Sequence, residues 1–314
     1  MDQRIVFMGT ASFSKAVLTM LIDEGYHVVG VVTQPDRRVG RKKVVTMSDV
    51  KKLALDHGIP VVQPARIRND YEDVLSLKPD LIISAAYGQI VPDAVLDAPK
   101  LGCINVHASL LPKYRGGAPV HQAIIDGCDK TGVTIMYMAS KMDAGDMIAQ
   151  AETPIEDSDT VGVLYDRLAD LGVDLLKETL PSILNGTNQR IVQDEAEVTF
   201  APVIKREDER LNWSMTTRQI VNKVRGMDPW PGNFTTYQGQ NIKIWHCVAH
   251  TCAHSHEHTE APGTIIKLFK DAIGVKSGDG IVLITELQVP GKRRMSVKDY
   301  MNGKCLFVEG EKFE

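Results

Sequence analysis

The chain predicts a doubly wound, mostly parallel, Rossmann-like α/β domain over residues 1–185, a linker over 186–209 and a small β-barrel of the oligonucleotide-binding (OB) type over 210–314. Three observations carry this. Through the first part, short β-branched runs alternate with stretches of helical length and periodicity, the pattern of an open α/β sheet. Residues 186–209 then turn polar and irregular, with an Asn-Gly-Thr-Asn stretch and a charged run from Lys205 to Arg210, as connecting segments do. Beyond them, short strands follow one another between turn signals, which suits a small barrel. A chain of 314 residues is also too long for one ordinary compact core.

Taken in order, strands are expected over 5–8, 28–32, 61–62, 81–84, 103–106 and 133–138, each an apolar run bounded by polar or turn residues. Helices are expected over 14–23, 48–57, 120–126 and 160–185. The second part predicts a helix over 216–225 and strands over 232–237, 242–249, 263–267, 272–276 and 281–284. Between them, the two prolines that bracket Trp230 make a stiff turn, read as packing the first strand of this part against its helix. Ligands in open α/β sheets bind beyond the carboxyl ends of the strands. Gly9 follows the first strand, but its spacing is not Gly-x-Gly-x-x-Gly, so a nicotinamide dinucleotide is not expected.

Composition narrows the function classes. The net charge is −4, yet from Lys205 onward 16 basic residues stand against 13 acidic ones, which permits a phosphate-bearing partner without demanding one. Five scattered cysteines, odd in number, suit buried reduced thiols better than a disulfide framework. No apolar run approaches the length of a membrane span, and no basic stretch with a long apolar run precedes the first strand. A soluble, cytoplasmic monomer is expected, with no membrane partner.

The polar groups with chemical promise cluster at the end of the fifth strand. Side chains two apart on a strand share a face, so Asn105 and His107 project together. An amide donor suits an oxygen that gains negative charge, and an imidazole can stabilise that oxygen or move a proton. Asp143, on the loop after the next strand, is placed to orient the imidazole. The same residues would equally make a hydrogen-bonded strand end with a core histidine. Arg37, Arg38, Arg41, Lys42 and Lys43 form a basic, glycine-containing loop, which by itself is often only a solvated surface. Lys292, Arg293 and Arg294 form a shorter basic patch, as readily solvated as bound to a nucleic-acid backbone. His246, Cys247, His250, Cys252, His254, His256 and His258 have the density of a metal site. A strand running into a flexible loop offers no fixed ligand geometry, so no metal is expected there.

The stretch from Asn105 through His107 and Ser109-Leu110-Leu111-Pro112 to Arg115-Gly116-Gly117-Ala118-Pro119, with Gly132-Val133-Thr134-Ile135-Met136 and Asp143-Ala144-Gly145-Asp146, resembles the folate-dependent formyltransferase family. The likeness runs nearly end to end and is strongest to members that act on methionyl initiator tRNA. It implies transfer of a formyl group from 10-formyltetrahydrofolate, as cosubstrate, to the α-amino group of methionyl initiator tRNA, with no metal. It further implies Asn105, His107 and Asp143 as the catalytic set, and a folate site formed by Ala86, Tyr87, Gly88, Gln89 and Ile90 with Ser109, Leu110, Leu111 and Pro112. Arg37, Arg38, Arg41, Lys42 and Lys43 correspond to a basic loop at the acceptor end of the tRNA, and the OB-like part to a tRNA-binding domain. Where relatives commonly have proline this chain has Ala11, which affects turn rigidity. Glycinamide ribonucleotide and nucleotide-sugar formyltransferases share the Asn, His and Asp set and remain alternatives. A nucleic-acid-binding module without catalysis is a third, disfavoured by the intact set.

Overall fold

In the computed structural model, which describes residues 2–39, 44–250 and 259–314, the chain forms two compact units. One comprises Met1–Pro119, Lys130–Pro154 and Tyr165–Pro202, the other Val120–Asp129, Ile155–Leu164 and Val203–Glu314.

The first unit opens with β1 (Ile5–Gly9), α1 (Ser12–Asp23) and β2 (Val28–Val32). The basic stretch read as a loop is instead a hairpin of β3 (Arg37–Val39) and β4 (Val44–Thr46), whose connecting residues 40–43 lie outside the described residues. α2 (Asp49–Asp56) begins where the Ser48 hydroxyl accepts from the Lys51 amide, and Asp49 adds a favourable charge to its first turn. β5 (Val61–Val62), α3 (Glu72–Ser76), β6 (Leu81–Ala85), α4 (Asp93–Leu96) and β7 (Cys103–His107) follow. Next in the chain is α5 (Pro119–Ile125), whose residues from Val120 on belong to the second unit. Then come β8 (Lys130–Tyr137), β9 (Met147–Pro154) and the long α6 (Val161–Leu184), which belongs to the first unit from Tyr165.

These strands make a seven-stranded sheet in the order β5-β2-β1-β6-β7-β8-β9. The strands from β5 to β7 pair in parallel, and β8 and β9 add an antiparallel edge. The central strands read as unbroken apolar runs, Ile5-Val6-Phe7-Met8-Gly9 and Leu81-Ile82-Ile83-Ser84-Ala85, because parallel sheets are covered on both faces. From β1 the chain winds outward to β2 and β5, then returns to β6 on the other side. The crevice beyond the carboxyl ends of β1 and β6 is therefore the topological switch point of the sheet.

Residues 186–202, expected within a linker, belong to the first unit. They cross the ends of its loops as a strap: Met147 and Ile191 exchange backbone hydrogen bonds at 2.8 Å, and Arg115 pairs with the strap around Phe200. Local sequence shows no periodic signal here, because each bond is made to a segment far away in the chain.

In the second unit, α7 (Thr217–Arg225) starts at a complete capping box between Thr216 and Gln219. β10 (Asn233–Tyr237), β11 (Gln240–Ala249), β12 (Ile265–Leu268), β13 (Ile273–Lys276) and β14 (Ile281–Gln288) form an antiparallel sheet in the order β10-β11-β14-β13-β12. β15 (Met295–Ser296) pairs with β14 and leads into α8 (Val297–Met301). The last residues of the chain bridge the two ends of this path. Glu314 exchanges backbone hydrogen bonds with Thr236 beside β10, while Glu311 and Phe313 accept from or donate to Ile265 and Gly263 beside β12. Phe313 and Trp213 stack at 5.8 Å within a core that also contains Tyr237, Ile284 and Phe307.

Among the described residues no helix is long and apolar enough to cross a membrane, and Cys103, Cys128, Cys247 and Cys305 are free thiols.

Candidate active site

β7 sets the site. Its residue Asn105 lies in register with Ser84 of β6 and Met136 of β8, and His107 with Thr134, so both side chains leave the same face at the carboxyl end of a central strand. His107 is 6% exposed. Its Nε2 lies 3.3 Å from the Tyr114 carbonyl, and its Nδ1 lies 3.8 Å from Asp143 Oδ1. The imidazole thus lies between a carbonyl and a carboxylate, one facing each ring nitrogen. Asn105 is half-buried, and its side-chain amide has no hydrogen-bond partner among the described residues.

Asp143 follows β8 on a short turn, with its backbone in the left-handed region at φ 51°. Its second carboxylate oxygen accepts from the Gly116 amide at 2.9 Å. That leaves Oδ1 facing His107. Gly116, at φ 129°, would bring an added Cβ to 2.4 Å from the Ala201 carbonyl, so only glycine lets this amide approach. His107, at the end of β7, is met there by Asp143 and Gly116 from two separate loops.

The loop after β7 is braced from below. The Thr134 hydroxyl donates to the Ser109 carbonyl at 2.7 Å and accepts from the Leu111 amide at 3.1 Å. Gln150 Nε2 donates to the Leu111 carbonyl at 2.8 Å, and Ser109 Oγ to the Lys113 carbonyl at 2.8 Å. The Leu111–Pro112 peptide is cis. Ser109 and Leu111 are buried, so their side chains belong to the brace, whereas Leu110 and Pro112 are partly open.

The segment 86–90 lies at the switch point. The Thr10 hydroxyl, just past β1, and Gln34 Nε2 both donate to the Tyr87 carbonyl, at 3.1 and 3.0 Å. Ala86 and Gly88 stand at φ 44° and 83°, turning the backbone sharply. Tyr87 is driven into the core, where burial pushes its hydroxyl up to about 12. Gln89 is used internally as well, its Oε1 accepting from the Ile67 amide at 2.9 Å. Ala86, Gly88 and Ile90 remain exposed. What this segment offers a ligand is therefore backbone and a small apolar surface rather than the Tyr87 and Gln89 side chains.

Arg37 and Arg38 lie on β3, and Arg37 donates to the Gln34 side chain. Arg41, Lys42 and Lys43 lie outside the described residues, as do Cys252, His254, His256 and His258. Of the histidine-rich stretch, His246 pairs with Thr285, and Cys247 is buried with its thiol pushed up to about 12 by desolvation. Among the described residues no group of three metal-ligating side chains occurs.

Sequence reasoning does not single out the residues that hold these groups. Gln193 Nε2 donates to the carbonyls of Asp143 and Gly145, both at 2.8 Å. Its Oε1 accepts from Arg115 Nε and Nη2 at 3.0 and 2.8 Å. Arg115 is 1% exposed. An arginine beside two glycines and a glutamine in a polar stretch carry no local signal of such a contact.

Comparison with known proteins places this geometry. Residues 3–180 match a family model described as formyl transferase, and residues 203–305 match its C-terminal domain. A methionyl-tRNA formyltransferase of Lysinibacillus sphaericus is 53% identical over 302 residues, covering 95% of both chains. One from Bacillus subtilis is 53% identical over 306 residues, covering 96% of this chain and 94% of its own. Among solved structures, an N-formyltransferase from Helicobacter canadensis in complex with folinic acid and dTDP-3-aminofucose superposes with a TM-score of 0.67 at 20% identity, covering 94% of this chain and 100% of its own. HypX from Aquifex aeolicus in complex with tetrahydrofolic acid superposes with a TM-score of 0.65 at 20% identity, covering 96% of this chain and 47% of that one. At such identities these two structures share the fold.

Proposed function

The chain belongs to the formyl transferase family, and we propose that it transfers the formyl group of 10-formyltetrahydrofolate to the α-amino group of methionine carried on initiator tRNA. The observation that carries this reading is the His107–Asp143 pair beside Asn105 at a central strand end, in a chain whose relatives match it over almost their whole length. When bound, the folate supplies an activated formyl carbon.

The residues divide the work as follows. Asn105 donates a hydrogen bond to the formyl oxygen, whose negative charge grows as the amine attacks. A donor already in place at that position stabilises the transition state without reorganisation. His107, as imidazolium, adds a second donor. Asp143 holds the imidazole through Oδ1 and, directly or through water, takes part in removing the amine proton. The 3.8 Å separation between Nδ1 and Oδ1 lies within ion-pair reach, and catalytic contacts of this kind tighten in the complex with substrate. The exposed backbone and Ile90 of the segment 86–90, with Leu110 and Pro112, fit a folate ring, which needs backbone hydrogen bonds on its edge and apolar cover on its faces.

The basic hairpin is the reading's tRNA contact in the first unit, with Arg37 and Arg38 on its ladder and Arg41, Lys42 and Lys43 in the segment that follows. The second unit serves as the tRNA-binding domain, and the protein works as a monomer in the cytoplasm. Formylation assays with methionyl initiator and methionyl elongator tRNA test this. Transfer to the initiator species at a much higher kcat/KM is the expected result. Absence of transfer to either tRNA, with transfer to an amino-sugar nucleotide, overturns it.

A further inference from the structure

We propose that Gln193 is a positioning residue that sets the geometry of Asp143, an inference that rests on the role given to Asp143 above. Asp143 stands at φ 51°, in the left-handed region that aspartate tolerates better than most residues with a Cβ. Gln193 braces the turn in that conformation. Its side-chain amide, in a residue 5% exposed, spends both of its hydrogens on the turn, one on the Asp143 carbonyl and one on the Gly145 carbonyl, each at 2.8 Å.

The amide has only one usable orientation. Its oxygen faces Nε and Nη2 of Arg115, which are donors only, so its nitrogen must face the two carbonyls. Arg115 is itself fixed. Its backbone amide donates to the Thr199 carbonyl at 2.9 Å and its carbonyl accepts from Ala201 at 2.8 Å. Its Nη2 also pairs with Glu195 at 2.9 Å, and Lys141, with Arg115, holds that carboxyl below the usual glutamate range. The turn has no slack on its other side, since a Cβ at Gly145 would meet the Tyr137 carbonyl at 1.9 Å.

The strap thereby fixes both partners of His107 at once. Thr199 Oγ1 accepts from the Tyr114 amide at 2.9 Å and locates the carbonyl that meets Nε2, while Gln193 locates the carboxylate that meets Nδ1. Gln193 lies between the residues matched by the two family models, 3–180 and 203–305. It touches neither substrate in this scheme. Its effect must reach the chemistry through Asp143, because misplacing a catalytic group by about 1 Å can cost on the order of a hundredfold in rate.

The test is a double-mutant cycle on the full-length protein with Gln193→Glu, Gln193→Met and Asp143→Asn. Gln193→Glu keeps an acceptor for Arg115 and loses the donor to the turn, whereas Gln193→Met keeps the shape and loses both. Single-turnover formyl transfer, KM for both substrates, folate Kd by titration and Tm are measured for each. The expected result is a loss of about tenfold to a hundredfold in kcat for both single variants, with KM and folate Kd within about threefold. Neither should lower kcat further in the Asp143→Asn background. Full additivity with Asp143→Asn, a wild-type kcat in both single variants, or a loss that shows as raised KM and folate Kd together with lowered Tm overturns the positioning role. Near-normal turnover in Asp143→Asn itself overturns the reading of Asp143, and the proposal about Gln193 with it.

Discussion

Two buried histidines in this chain, His107 and His121, are each 6% exposed and have opposite surroundings. His107, in the first unit, faces a carboxylate and a backbone carbonyl across its two nitrogens. His121, in the second, meets the Trp230 ring edge-on at 6.0 Å. Burial drives its pKa down to about 4, against the pull of a hydrogen bond to the Trp230 backbone. Burial alone therefore says nothing about a histidine's work. His107 has polar partners on both nitrogens at a strand end, the setting the proposed transfer needs, whereas His121 beside an aromatic ring is a neutral packing element.

The largest expected effect lies beside His107. Replacing Asn105 with alanine removes the uncharged donor that the proposed mechanism aims at the developing charge, and turnover should fall by about a hundred- to a thousandfold with folate affinity nearly unchanged. Stopped-flow or quenched-flow formyl transfer with parallel folate titration reads both quantities. Asp143→Asn keeps the shape and removes the charge that His107 faces. A loss of about a hundredfold in kcat is expected, again without a matching loss in folate Kd. A similar loss on replacing a carboxylate distant from the site, such as Asp56, would show that the effect is not specific to the pair.

His121 should reveal itself in stability. Its folded pKa lies below the unfolded value of 6.5, so the folded protein is favoured fully above pH 6.5 and progressively less as pH falls toward 4, where the unfolded chain binds a proton that the native one excludes. The contribution is on the order of 3 kcal/mol over that window. Urea unfolding of wild type and His121→Gln at pH 7, 6, 5 and 4 checks it, and the variant should show the shallower decline. Parallel curves for the two proteins would mean that His121 does not govern the acid limb.

The basic hairpin should give the smallest and most condition-dependent effect. Replacing Arg37 and Arg38 with alanine should reduce the salt slope of tRNA binding by about one for each phosphate that is no longer neutralised, while folate binding stays constant. Filter binding or anisotropy across a salt series measures the slope.

Much of the first unit is legible in the sequence because its signals are local. The apolar runs at Ile5, Leu81 and Cys103 are strands in the structure, and the two-residue spacing of Asn105 and His107 already puts them on one face. β9 escapes such a reading since only Ile148 along it is buried, so its pattern lacks a clean apolar face. The β3–β4 hairpin is hidden by its cations, which conceal a strand period. Gln193 and Arg115 are invisible as partners because they stand 78 residues apart. The tail from Glu311 to Glu314, which bridges β10 and β12, likewise reads as an ordinary polar chain end. Long-range hydrogen bonds leave no period in the sequence.

In the proposed mechanism His107, and not merely a buried imidazole, carries the transfer. It is tested most directly by single-turnover formylation of methionyl initiator tRNA with wild type, His107→Ala and His121→Gln at saturating folate, all confirmed folded at pH 7. A drop of about a hundred- to a thousandfold is expected for His107→Ala, and a rate within about threefold of wild type for His121→Gln, since surrounding packing rather than chemistry is changed there. Near-wild-type transfer by His107→Ala, or an equal loss in both variants, would contradict it.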